Sequence, residues 1–277
     1  LGRKGGIEKT RYIRHRYAMA LYQEENLCMP KAHYKVLAKN YDCFYKERHE
    51  AQFNIMMKYL NLQPDHLVVD LASGTGTYGE KMIETFKLKN PVWCVEPSSE
   101  MQEAARAKKG LVTIEKTAEE FLDDLDKQHR FNFALCVASV HHFSDPVKVY
   151  KGVESCLTPD GVFMIAQIGE YVSFPLFKKA KNRFASFVSG RKEGTSAFLR
   201  SANFEVEVSV EQLAFMVKKS KWYDMLRGRF HSTLRELSDG EIEEGIDELD
   251  KGILQHANRD DDIPISMNLL IFMAKKK

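Results

Sequence analysis

Glycines follow directly after the apolar run at residues 67–71. The run reads Leu-Val-Val-Asp-Leu. The next eight positions, residues 72–79, contain Gly74, Gly76 and Gly79. A run rich in β-branched residues favours a strand, and the glycines permit a tight turn in which the backbone approaches a ligand closely. The pattern therefore predicts a strand, a glycine turn and then a helix, at about residues 77–86.

Strands and helices are predicted to alternate from this turn onward. Further strand-like runs lie at residues 92–96, 111–115, 131–138 and 162–168, with helical patterns between them. Strands that are apolar on both faces belong to a parallel sheet covered by helices, and right-handed crossovers then give a doubly wound α/β fold.

The alternation stops after residue 169. The sequence then predicts a strand at 204–208, mostly helix at 210–256 and a last strand at 263–274. This order indicates a seven-stranded Rossmann-like sheet in which the last strand is antiparallel and inserted beside the sixth. A helical N-terminal cover and helical cap insertions complete the predicted α/β fold.

The predicted organisation is an N-terminal arm followed by one domain. Residues 1–30 are predicted to form a basic arm, and residues 31–277 a single domain. Within the domain, residues 31–60 are expected to form the helical cover. Segments 171–200 and 210–256 are expected to form a cap over the substrate.

Composition excludes several classes of protein. Of the 277 residues 44% are hydrophobic, which is enough to build a core and excludes a disordered chain. The apolar stretches fall short of the roughly 18 residues that cross a bilayer, and residues 1–16 lack the apolar core of a signal peptide. Five scattered cysteines without C-x-x-C spacing indicate reduced thiols. We therefore expect a cytoplasmic protein without membrane association; the oligomeric state stays open.

Two carboxylates accompany the glycine turn. Asp70 lies four residues before Gly74, and Glu96 closes the second predicted strand, 20 residues after Gly76. A carboxylate at the end of the second strand can accept hydrogen bonds from both hydroxyls of a ribose. Asp70 can bind an ammonium group directly or through water. The two acids predict a nucleoside-containing ligand over the carboxyl ends of the first two strands.

The same glycines also match the dinucleotide-binding pattern G-x-G-x-x-G at Gly74, Gly76 and Gly79. An NAD(P)-dependent oxidoreductase is therefore an alternative. Two features count against it: Asp70 would repel a pyrophosphate, and a dinucleotide-binding fold has six parallel strands, whereas the last strand here is expected to be antiparallel.

Four segments, in order, resemble the class I S-adenosylmethionine (SAM)-dependent methyltransferases. They are Val68–Gly76, Glu96–Met101, Val140–Phe143 followed by Asp145 and Pro146, and the run Leu157-x-Pro159-x-Gly161. The resemblance spans roughly residues 40–170, and its one departure is Ala72, where many members have glycine. More distantly, the chain resembles the small-molecule methyltransferases related to trans-aconitate methyltransferase.

The resemblance implies a cofactor and a reaction. SAM would be the cofactor, S-adenosylhomocysteine the product, and no metal would be needed. The methyl group would pass by in-line displacement to an N or O atom of a small molecule, with an anion as one candidate. A catalytically silent SAM-binding scaffold protein is a further alternative.

The resemblance also implies which residues contact the cofactor. Asp70 would bind the ammonium group, Glu96 the ribose, and Met101 would pack on the adenine. Each also has an ordinary explanation, such as helix capping or core packing. The predicted cofactor contacts are Tyr41, Arg48, Asp70, Ala72, Ser73, Gly74, Thr75, Gly76, Glu96, Pro97, Met101, Thr117, Ala118, Glu119, Ser139 and Val140.

His141 follows the fourth strand and is the candidate general base, although a lone histidine is often a hydrogen-bonded structural residue.

Segment 171–192 interleaves aromatic and basic residues and contains no acid, which suits an anionic small molecule, a nucleic acid, or a solvated helix with its phenylalanines in the core. The acidic run at 241–250 would repel a polyanion, so we expect a small-molecule substrate rather than nucleic acid. The predicted substrate contacts are Tyr45, His142, Tyr171, Phe174 and Arg227.

Overall fold

The computed structural model describes residues 41–126, 128 and 130–277. Within them, one seven-stranded sheet has the order β3-β2-β1-β4-β5-β7-β6. The strands are β1 (Val68–Leu71), β2 (Val92–Val95), β3 (Leu111–Ile114), β4 (Phe131–Val137), β5 (Leu157–Ser173), β6 (Phe204–Lys218) and β7 (Asp262–Lys276). Strands β1 to β5 are parallel where they pair, whereas β7 is antiparallel to both β5 and β6. The predicted fold is confirmed, including the insertion of the last strand beside the sixth.

Helices connect and cover these strands. The α-helices of the described residues are α1 (Tyr41–Met56), α2 (Thr77–Phe86), α3 (Ser99–Arg106), α4 (Ala118–Asp124), α5 (Pro146–Cys156), α6 (Lys178–Val188), α7 (Arg191–Ser201), α8 (Lys219–Arg227) and α9 (Asp239–Lys251). The described part of the chain also forms the short 3₁₀ helices η1 (Val140–His142) and η2 (Ser232–Leu234). In the part of the chain that is described, no helix combines the length and the apolar character that crossing a membrane requires.

The sheet is buried on both faces. Val68 belongs to a core formed with α1, α2, α6, α8 and α9, and its neighbour Val69 belongs to a second core formed with α4, α5 and α7. Trp222 of α8 is fully buried in the first core and donates from Nε1 to the carbonyl oxygen of Pro175 at 2.8 Å. The cap helices are therefore packed on the sheet as part of its core.

The structure corrects the prediction of helix at the start of segment 210–256. Residues 210–218 continue β6, which pairs with β7 without interruption from Phe204 opposite Lys276 to Lys218 opposite Asp262. The pairing with β7 supplies the hydrogen bonds that a helix would have supplied locally. The predicted basic arm, residues 1–30, and the first part of the predicted cover, residues 31–40, lie outside the described residues. The cover helix is seen as α1.

Candidate functional site: a cavity above the carboxyl ends of the strands

The glycine turn links the end of β1 to the start of α2. Ala72, Gly74 and Gly76 all have positive φ, at 54°, 56° and 73°. A Cβ atom on Gly74 would meet nothing within 4 Å, whereas one on Gly76 would lie 2.6 Å from Cδ1 of Leu111. Gly76 is therefore required for the packing of the turn against β3, and Gly74 faces open space on the ligand side.

Glu96 ties the glycine turn to the end of β2. Its Oε2 accepts from the backbone N–H of Gly74 at 3.1 Å, and its Oε1 accepts from the N–H of Ser98 at 3.0 Å. Burial raises the pKa of Glu96, and these two backbone donors oppose that shift. A carboxylate has about four lone-pair sites, so Glu96 can accept further bonds while it keeps both backbone donors.

Asp70 is a buried carboxylate at the end of β1. It is 1% exposed, and among the described residues nothing donates to its Oδ2. Burial, together with the nearby charge of Glu96, raises its pKa well above the ordinary value. Ser73 Oγ and Tyr78 OH are also buried without a described partner. A ligand that brings an ammonium group and hydroxyls would satisfy these atoms, so the residues present fit the polar groups of SAM.

A cavity of about 620 Å³ opens above these residues. This volume lies within the usual range for ligand sites. His141 and His142 line the cavity, as do the following predicted cofactor contacts: Tyr41, Arg48, Asp70, Ala72, Ser73, Gly74, Thr75, Glu96, Pro97, Met101, Thr117 and Ser139.

Four predicted cofactor contacts do not line this cavity. Gly76 packs against β3, as described above. Ala118 and Val140 are buried in the second core. Glu119 accepts from both the backbone N–H and the hydroxyl of Ser144, at 2.8 and 3.0 Å, so it fixes the loop after β4 to α4.

Three of the predicted substrate contacts also lie outside this cavity. Tyr45 is buried and donates from its hydroxyl to the carbonyl oxygen of Phe230. Phe174 packs in the first core, with its ring centroid 5.0 Å from that of Trp222. Arg227 is largely exposed and pairs with Glu243 at 2.7 Å.

The remaining two predicted substrate contacts differ. His142 lines the cavity. Of Tyr171 the structure describes the backbone, which pairs with Met267 of β7, but not the side chain.

Residues 68–161 match the family model for a methyltransferase domain. No curated protein sequence matches this chain. Among solved structures, the chain is similar to the YcgJ protein of Bacillus subtilis, with a TM-score of 0.55 and 16% identity, over 83% of this chain and 99% of that one.

The fold is also similar to that of Haemonchus contortus phosphoethanolamine N-methyltransferase 2 in complex with S-adenosyl-L-methionine. The TM-score is 0.54 at 16% identity, and the match covers 91% of this chain and 58% of that one. At such identities the likeness concerns the fold. The matched family model assigns a methyltransferase domain to residues 68–161.

Residues 68–161 are therefore a methyltransferase domain, and they lie in a seven-stranded sheet. The antiparallel β7 also decides against the dinucleotide-dependent oxidoreductase, whose fold has a parallel six-stranded sheet. Among the residues whose placement is described, no group of three or more His, Cys, Asp or Glu side chains is arranged to hold a metal ion.

In this methyltransferase a polar network fastens α1 to the glycine turn. Lys108 Nζ donates to Oδ2 of Asp42, to the carbonyl oxygen of Thr75 and to Oγ1 of Thr77, at 2.9, 2.9 and 2.8 Å. Burial raises the pKa of Asp42, but hydrogen bonds from Thr75 and Lys108 outweigh it and hold that pKa below the ordinary value. Sequence reasoning missed this network, because Asp42 and Lys108 are 66 positions apart and neither belongs to a motif.

Arg48 of α1 lies among aromatic rings on the same side of the cavity. Its guanidinium is 4.2 Å from the ring centroid of Tyr45, and its Nε has no acceptor among the described residues. Burial, with a smaller contribution from the charge of Arg48, lowers the pKa of His49 to about 3. His49 is therefore neutral, and Arg48 is the cation of this wall.

His141 lines the cavity from η1, after β4. Its ring centroid is 4.0 Å from that of His142 and 5.1 Å from that of Phe187. Its Nδ1 is buried without a described partner. Burial lowers the pKa of His141 well below the ordinary value, and the positive charges of His142 and Arg191 lower it further. At neutral pH the ring is uncharged.

The wall near His141 includes residues that the sequence analysis did not select. Three come from α6 and three from the segment at and after η2: Arg183, Ser186, Phe187, Thr233, Arg235 and Glu236. The basic and aromatic composition of segment 171–192 was a signal for α6. Nothing in the sequence marked residues 233–236.

Proposed function

We propose that this methyltransferase transfers the methyl group of SAM to an N or O atom of a small molecule bound beside His141. The observation that carries the proposal is that one cavity contains both the acids Asp70 and Glu96 and the neutral ring of His141. A donor bound at the acids and an acceptor at the histidine would share the same space.

The cofactor would lie with its polar groups on the residues that need partners. Asp70 would accept from the ammonium group, and Glu96 from the ribose hydroxyls. The guanidinium of Arg48, whose Nε has no described acceptor, suits the carboxylate. Met101 and Pro97 in the cavity wall would pack on the adenine.

Bound SAM supplies a methyl carbon on a positively charged sulfur, which leaves as a neutral thioether. The chain needs no acid for this leaving group. Its residues hold the acceptor in line with the methyl carbon and keep water out, and positioning of this kind can contribute about 7–11 kcal/mol. His141, being uncharged, can take a proton from a hydroxyl or an ammonium acceptor, whereas a carboxylate acceptor needs no base.

A small acceptor suits the covering of the site. α1 and α6 both contribute to the cavity wall, and α9, which packs on the same core, carries the acidic run that would repel a polyanion. We further propose that the cover and cap segments form a single domain with the sheet. Free, mostly buried cysteines such as Cys94, Cys136 and Cys156 suit a reducing compartment such as the cytoplasm.

Calorimetry with S-adenosylhomocysteine and with NAD tests the cofactor half of the proposal. We expect S-adenosylhomocysteine to bind and NAD not to bind. Incubation of a metabolite extract with isotope-labelled SAM, followed by mass spectrometry, tests the acceptor half. A labelled small product supports the proposal. Binding of S-adenosylhomocysteine without any labelled product from a broad panel would favour the silent scaffold protein.

A further inference from the structure

Two parts of the cavity wall differ in charge, and we name them by their elements: the cofactor end, formed by β1 and β2, and the cap end, formed by α6 and the segment after η2. Asp70 and Glu96 lie at the end formed by β1 and β2. Arg183 and Arg235 lie at the end formed by α6 and the segment after η2. The only carboxylate in the described wall of this second end is that of Glu236, and Arg183 pairs with it.

Arg235, at the cap end, has a guanidinium nitrogen without a hydrogen-bond acceptor among the described residues. Its Nη1 is buried, and no described atom accepts from it. The neighbouring Arg191 differs, because it lies over the ring of Phe187 at 3.8 Å and donates from Nε to the carbonyl oxygen of Phe187. A buried guanidinium N–H without an acceptor destabilises a protein, so a ligand oxygen at this position would be stabilising.

Arg235 shares the cavity wall with other basic side chains, His142 and Arg183, and with His141. The charges of His142, Arg191 and His231 lower the pKa of His141, so cationic groups lie near this histidine. Thr233 lies two positions before Arg235 and lines the same wall, where its hydroxyl contacts Nδ1 of His231 at 3.0 Å. Such a region attracts anions and repels cations.

We propose that Arg235 binds an oxyanion of the acceptor, a carboxylate or a phosphate, with Thr233 beside it. A guanidinium presents two parallel N–H groups that match either anion. This inference rests on the proposed function and narrows it, since the acceptor becomes an anionic small molecule. The bound oxyanion orients the acceptor, and a second group of the acceptor, facing His141, is the one that is methylated.

The carboxylate of the cofactor itself is the competing occupant. Arg48 lies closer to the cofactor end, because its charge acts on Tyr41 and Tyr78, on which Glu96 and Asp70 also act. Arg48 is thus available for the cofactor carboxylate, and Arg235 is left for the acceptor.

The test titrates inorganic phosphate and succinate into the protein by calorimetry at constant ionic strength, with and without saturating S-adenosylhomocysteine. We expect at least one of the two anions to bind. The Arg235→Gln variant should bind that anion about ten-fold more weakly or worse, because a hydrogen bond between charged groups is lost. Its affinity for S-adenosylhomocysteine should not change. Arg235→Lys, which keeps the charge but not the paired N–H groups, should lose less.

The matched control is Arg106→Gln. Arg106 is exposed, pairs with Glu115 at 3.0 Å and does not line the cavity. The Arg106→Gln variant should bind phosphate and succinate with the same affinities as the wild type. Circular dichroism should show that every variant is folded. Which anion binds more tightly distinguishes a phosphorylated acceptor from a carboxylic acid.

Three results would overturn the inference: neither anion binds, Arg235→Gln binds them unchanged, or Arg235→Gln weakens S-adenosylhomocysteine instead. Failure of the proposed function gives a different pattern. In that case the wild type does not bind S-adenosylhomocysteine, while the anion titration without it still reports on Arg235.

Discussion

Replacing Asp70 by asparagine should have opposite effects on cofactor affinity and on the stability of the free protein. The side chain is 1% exposed, its Oδ2 has no described donor, and the charge of Glu96 acts on it. In the free protein, an ionised Asp70 is therefore a buried charge without a described counterion. In the complex, the same charge would face the ammonium group of the cofactor.

The affinity should fall because a charge-assisted hydrogen bond is removed. Such bonds contribute about 1.5–3 kcal/mol, which corresponds to about 10- to 150-fold in the dissociation constant. Asparagine has nearly the shape of aspartate, so the change tests the charge rather than the packing.

The stability of the free protein should change in the opposite direction, with a characteristic dependence on pH. The pKa of Asp70 is raised in the folded state, so between the unfolded and the folded pKa values the folded state binds more protons. The free energy of unfolding of the wild type therefore decreases as pH rises above about 4. The Asp70→Asn variant has no carboxyl group at this position, so its free energy of unfolding does not decrease for this reason. Its stability relative to the wild type should therefore grow as pH rises through that interval.

Calorimetry with S-adenosylhomocysteine and urea unfolding at several pH values measure both effects. Asp124→Asn is the control, because Asp124 is exposed and pairs with Lys116 at 2.9 Å on α4, outside the cavity. The control should change neither quantity. An Asp70→Asn protein with wild-type affinity for S-adenosylhomocysteine would refute the assignment of the ammonium group to this carboxylate.

Three further changes test other parts of the site. Glu96→Ala should weaken SAM binding by about 1–3 kcal/mol, because bonds to a charged group are lost; unchanged affinity in calorimetry would place the ribose elsewhere. His141→Ala should lower the turnover of the identified acceptor more than it lowers SAM affinity, and equal turnover of both proteins at every pH would remove the role as a base. Lys108→Met should release α1 from the glycine turn, since it removes three hydrogen bonds. We expect a loss of about 1 kcal/mol in stability, given that Asp42 is partly exposed, together with faster amide exchange in α1; unchanged exchange would contradict the fastening role.

The strand β6 is much longer than the sequence predicts. Its sequence, FEVEVSVEQLAFMVK, alternates polar and apolar residues with period two over much of its length, yet a strand was predicted only for 204–208. Two of its apolar side chains, Val210 and Met216, are 50% and 49% exposed, so the polar and apolar residues do not separate cleanly into two faces. Pairing with β7 stabilises the strand along its whole length. A partner strand that lies more than 40 residues away cannot be seen in a local window.

The acid pair could be placed from the sequence, while the basic end could not. Asp70 lies in β1 and Glu96 directly follows the adjacent parallel strand β2, and the carboxyl ends of such strands meet at one edge of the sheet. Arg235 and Arg183 belong to the cap, where no repeating rule relates a residue to the sheet. Their position depends on how α6 and η2 pack on the core.

The amino-acid sequence by itself determined the alternation of strands and helices, the glycine turn and the two acids at its edge. These features follow from local hydrogen bonding, from side-chain periodicity and from the handedness of strand connections. Only the tertiary structure decided that Gly76 serves packing, that Lys108 fastens α1 to the turn, and that Arg235 lies in the cavity wall. Each of these depends on contacts between segments distant in the chain, and such contacts exist only once the core has formed.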